Sequence, residues 1–95
     1  MIYSNVLLTV REVSDIESVV ELLAEQGRLS REEPGCLRFE VYHSQADTRL
    51  FLLIERWEDQ TALDAHRRAV AYCEIYQPRV LPLVDRVPHP SDLVG

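Results

Sequence analysis

Ninety-five residues, 46% hydrophobic and 27% charged, describe one globular domain and leave no room for two. Ten arginines and no lysine stand against sixteen acids, a net charge of −6. That balance excludes a phosphate-binding nucleic-acid protein and a reader of anionic membrane surfaces. No apolar run approaches the ~20 residues of a membrane span, and no charged-then-apolar leader opens the chain, so the cytoplasm is the expected compartment. Cys36 and Cys73 lie far apart without a CxxC, which offers neither a disulfide framework nor a zinc knuckle.

Asn5 to Val10 reads as a strand, followed by the polar stretch Arg11–Asp15. Ser14 and Glu17 have capping-box spacing and predict a helix start. Ile16, Val19, Val20, Leu23 and Gly27 then recur on one helical face, with Glu17, Glu21 and Glu25 opposite. Pro34-Gly35 ends that helix. Cys36 to Ser44 alternates, with Leu37, Phe39 and Val41 on one side and Arg38, Glu40 and Tyr42 on the other. Gln45–Arg49 has the length of a hairpin loop, and Leu50 to Trp57 is a third strand. Asp59 caps a second helix whose inner face is Ala62, Leu63, His66, Ala69, Val70 and Cys73, with Cys73 expected as a small buried hydrophobe. Pro78 interrupts it, and Leu83 to Val87 supplies a fourth strand. Residues 1–88 are expected to form the domain and 89–95, opened by prolines, a tail.

The order βαββαβ predicts a ferredoxin-like α+β fold, an antiparallel sheet with both helices on one face. Such a sheet should keep one wet face, yet the third strand is apolar on both. Phe51, Leu53 and Trp57 point one way; Leu50, Leu52 and Ile54 point the other. A large apolar patch is rarely left open, so a second copy of the sheet is the expected cover, giving a homodimer.

There is no phosphate-cradling loop and no metal-ligand spacing among His43, His66 and His89. Chemistry must come from isolated polar groups in an apolar pocket. His66 falls on the inner face of the second helix, where it is either a satisfied core histidine or a base. Glu55 falls in a dry strand and needs a partner or a raised pKa. The two are expected to meet across the gap between sheet and helices. Asn5 either makes local strand-end bonds or faces the same cavity. Trp57 either packs in the core or walls a flat ligand, and Tyr72 and Tyr76 either cap the pocket or pack with wet hydroxyls. Arg67 and Arg68 read as a solvated face.

The strings Ser30-Arg31-Glu32-Glu33-Pro34-Gly35-Cys36-Leu37, Glu55-Arg56-Trp57-Glu58 and Ala62-Leu63-Asp64-Ala65-His66 resemble those of the antibiotic biosynthesis monooxygenase family, over about residues 3–87. The resemblance implies a dimeric α/β barrel with a pocket between sheet and helices. It implies oxygenation of a small quinol-like or polyphenolic aromatic by O2 without metal, flavin or other cofactor. His66 and Glu55 would be catalytic; Asn5, Trp57 and Tyr72 would bind substrate. Many relatives carry a second histidine in a Ser-x-His setting, where this chain has Ala69-Val70-Ala71. Haem-degrading relatives need a histidine late in the second helix, where this chain has Tyr72 and Tyr76. A non-oxidative member, an isomerase of a small metabolite or a ligand-binding module, is the alternative.

Overall fold

The computed structural model describes residues 1–95, in the order β1 (Ile2–Val10), α1 (Ile16–Arg31), β2 (Cys36–His43), β3 (Leu50–Trp57), α2 (Gln60–His66), α3 (Ala71–Val80) and β4 (Val84–Ser91). The sheet is antiparallel throughout, in the order β2–β3–β1–β4, and the helices cover one face. This is the expected ferredoxin-like α+β plan. β3 alternates strictly, with Phe51, Leu53, Glu55 and Trp57 buried beneath the helices and Leu50, Leu52, Ile54 and Arg56 half-buried on the other face. The core joins these to Val6, Leu8 and Val10 of β1, Val19 and Leu23 of α1, and Tyr76 and Val80 of α3.

Several boundaries differ from the sequence reading, each for a local reason. A 3₁₀ turn at Val13–Asp15 precedes α1, so Asp15 takes the cap position with no side-chain cap bond, and Ser14 caps nothing. Val20 is exposed on α1, while Gln26 and Ser30 are buried. A bulge between Cys36 and Arg38 turns Cys36 inward beside Trp57 and pushes Leu37 into solvent, away from the Phe39 side. Burial, the largest cause, lifts the Cys36 thiol to about 11.

The second helix is two pieces. Asp59 caps α2 as expected, accepting from the Ala62 N–H at 2.8 Å, but α2 stops at His66. A turn follows, and the chain resumes as the π-helical α3 with Pro78 inside it. A break followed by wider turns changes the facing of everything downstream. Val70 and Cys73, expected inside, are exposed, and the Cys73 thiol donates to the Arg67 carbonyl. β4 runs to Ser91, not Val87, and pairs with β1 through Pro88 and Pro90, so only residues 92–95 lie beyond the sheet.

The uncovered face has its own order. Tyr42, Leu52, Leu7 and Val87 are register neighbours across all four strands and form one apolar row.

Candidate active site

His66 is delivered by two short-range decisions. Glu33-Pro34-Gly35 turns the chain out of α1, with Gly35 at φ +80°, a value side chains resist. The Gly35 carbonyl accepts the Glu58 N–H at 2.8 Å, which ties this turn to the start of α2. A Cβ on Gly35 would stand 2.4 Å from that of Ala62, so only glycine lets α2 lie this close. With the turn and α2 locked together, the Glu33 carboxylate reaches His66 Nδ1 at 2.7 Å. A carboxylate only accepts, so Nδ1 carries a proton, and in the neutral ring the lone pair is on Nε2. His66 is 4% exposed. Its ring lies 4.4 Å from the Trp57 ring centroid, with Phe39 and Tyr72 near 6 Å on other sides.

Glu55 does not pair directly with His66, contrary to the sequence reading. Its Oε1 accepts the Trp57 indole N–H at 3.0 Å, because residues i and i+2 of a strand share a face. The expected environment nonetheless holds. Burial, the leading cause, raises the Glu55 carboxyl above the ordinary glutamate range. The Trp57 bond and the fields of His66, Arg86 and Arg67 pull it partly back.

Glu55 and His66 line one cavity with Ser4, Gln26, Tyr72 and Tyr76, and Arg67 and Arg86 border it. Its free volume is about 20 Å³, enough for one water-sized molecule. Tyr76 is buried, and burial raises its phenol further; the hydroxyl accepts from Arg86 Nε at 3.0 Å and keeps its own proton to donate. Gln26 Oε1 is buried without a partner. The wall therefore combines an imidazole lone pair, a carboxyl, a phenol proton and an open amide oxygen, a set that can accept and return a proton.

Asn5 is elsewhere. It pairs with Ile54 and His89 on the uncovered face, and its amide donates to Ser91 Oγ at 3.0 Å. It lines a separate recess of about 200 Å³ with Tyr3 and Arg38. The alternation of β1 explains this: Val6 and Leu8 face the helices, so Asn5 cannot. Trp57 and Tyr72 both pack against the His66 ring, and of the two only Tyr72 lines the cavity. Sequence reasoning missed Glu33, Gln26, Ser4, Tyr76 as a site donor, and Arg86. Two of these had a signal. Glu33 stands in the quoted Glu-Pro-Gly string, and Gln26 falls at helical spacing on the buried face of α1. No three His, Cys, Asp or Glu side chains gather closely enough to hold a metal ion.

Comparison with known proteins adds the wider frame. A family model described as antibiotic biosynthesis monooxygenase matches residues 1–77. A crystal structure of an antibiotic biosynthesis monooxygenase superposes with TM-score 0.86 at 25% identity, covering 98% of this chain and 99% of that one. A conserved Bacteroides thetaiotaomicron protein of unknown function, described as a possible oxidoreductase, superposes with TM-score 0.88 at 22% identity over 97% of this chain and 96% of its own, which speaks for the fold alone. An uncharacterized Synechocystis protein is 40% identical over 37 residues, 39% of this chain and only 25% of that relative.

Proposed function

The chain belongs to the antibiotic biosynthesis monooxygenase family, and from that premise we propose that it is a cofactor-independent monooxygenase acting on a small quinol-like aromatic. The observation that carries the reading is the His66–Glu33 pair: a buried histidine whose Nδ1 is committed to a carboxylate, packed on Trp57 and lining a small cavity with Glu55, Tyr72 and Tyr76. A quinol becomes a reductant for O2 once it is deprotonated. In the net reaction one oxygen atom enters the ring as a hydroxyl, the other leaves as water, and the substrate, as hydroxyquinone, has supplied all the electrons. The protein has to take a proton, steady the anion and exclude water. His66 Nε2 takes the proton, Glu33 steadies the imidazolium, and Glu55 and the Tyr76 phenol stand by the developing charge. Tyr72, only half-buried, closes the cavity and must swing aside for a ring-sized substrate.

We further propose that the protein works as a homodimer. The apolar row across the uncovered sheet face, continued by Leu50 and Ile54, supports a second sheet as its cover.

Oxygen uptake with a panel of hydroquinones tests the activity. Uptake by the wild type that falls at least about a hundredfold in His66→Ala is the expected result. Quinol binding without any uptake would overturn it and favour a ligand-binding or isomerising protein.

A further inference from the structure

The rim of the cavity carries a charge pattern that a neutral quinol does not use. Three of the ten arginines, Arg11, Arg28 and Arg38, spend their guanidiniums on surface carboxylates. The two at the cavity do not. Arg67 follows α2 and its side chain makes no hydrogen bond or ion pair; Arg86, on β4, gives only its Nε, to Tyr76. They come from different elements, and both act on the same buried carboxyl, Glu55. In a chain of net charge −6, neither guanidinium is in an ion pair, and the acid they act on, Glu55, is buried in the cavity wall. The second observation lies deeper: Gln26, 1% exposed, holds its Oε1 unpartnered in the wall of the same cavity. The cavity is thus built with a hydrogen-bonding wall and arginines at its border.

We propose that Arg67 and Arg86 form an anion-recognition subsite, so that this protein prefers an aromatic substrate bearing a carboxylate over its uncharged counterpart. The guanidinium forks take the carboxylate at this border, as they take carboxylates generally, by paired N–H donors. That contact orients the ring with its phenolic oxygen toward His66 and the Gln26 oxygen. The inference rests on the aromatic-substrate reading above, which it narrows.

A matched pair of probes tests it: 2,5-dihydroxybenzoate and 1,4-dihydroxybenzene, which differ only by the carboxylate. Affinities are measured anaerobically by NMR on the His66 and Trp57 signals of the full-length chain. The wild type should bind the carboxylated ring roughly tenfold tighter or more, the effect of one charge-assisted contact. In Arg67→Gln and in Arg86→Gln the ratio of the two affinities should fall toward one, and 0.5 M salt should reduce it in the wild type. Equal wild-type affinities, a ratio that survives both substitutions, or binding of neither probe would overturn the proposal. No turnover enters this measurement. A protein that discriminates the probes but consumes no oxygen would sink the oxygenase reading and leave the subsite standing. One that oxidises uncharged quinols without discrimination would do the reverse.

Discussion

A histidine with Nδ1 committed to a carboxylate has one nitrogen left for chemistry, and the commitment fixes which one. Glu33→Gln removes the charge that steadies the imidazolium and lets the amide present either face to the ring. Quinol-dependent oxygen uptake should fall by about 10–100-fold, as for other carboxylate supports of a working histidine, while circular dichroism stays that of the wild type. Glu55 makes a different prediction. Its carboxyl is raised by burial, so the folded state favours the protonated form. The stability tied to that form is complete below the ordinary value near 4.5 and is lost as pH climbs through the higher folded-state value. A buried glutamate is therefore a cost at neutral pH, and Glu55→Gln, still able to accept from the Trp57 indole, should raise Tm at pH 7. The gain should shrink as pH falls toward 4; a Tm difference independent of pH would contradict the assignment.

At the scale of elements, the decisive device is the Glu33-Pro34-Gly35 turn against the first turn of α2. Gly35→Ala meets two penalties, the positive φ and the 2.4 Å approach to Ala62. Urea denaturation should show a loss of about 2 kcal/mol or more. The His66 signals should shift as well, because α2 must move away from Glu33. The strands, their order and α1 were legible because their signals are periodic and local: β3 reads as a strand with two apolar faces from its sequence alone. The Glu55–His66 contact was misread because two residues on one strand compete for each other first. Trp57 lies two positions from Glu55, and its indole N–H was a nearer partner than a histidine on another element. The facing of Val70 and Cys73 failed for a separate reason. α3 buries Ala71, then the adjacent Ile75 and Tyr76, then Val80, so that each step along the buried face is four or five residues, and a 3.6-residue period misplaces such a segment from its first turn.

For the molecule as a whole, the question is what lies over the open face of the sheet. Leu52 sits at the centre of the row, between Tyr42 and Leu7. Leu52→Asp leaves the helix-side core untouched and would place an unpaired charge inside the proposed dimer interface, at a cost of several kcal/mol. Light scattering at micromolar concentration should report a dimer for the wild type and a monomer for the variant; a monomeric wild type would rule out the dimer. The doubled apolar character of β3 made that face visible in the sequence. Its extension to Val87 depends on pairing between β1 and β4, which no local pattern shows.

β4 is the outer strand of the sheet and carries prolines at two alternate positions, 88 and 90, while its register with β1 runs unbroken from Val84 to Ser91. Proline has no N–H, and the ladder survives because the two missing donors belong to the outward edge. That margin cannot template another strand. Edge-to-edge growth, the route by which exposed sheets run on into aggregates, is blocked along this side, and only β2 offers a margin to which a strand could add.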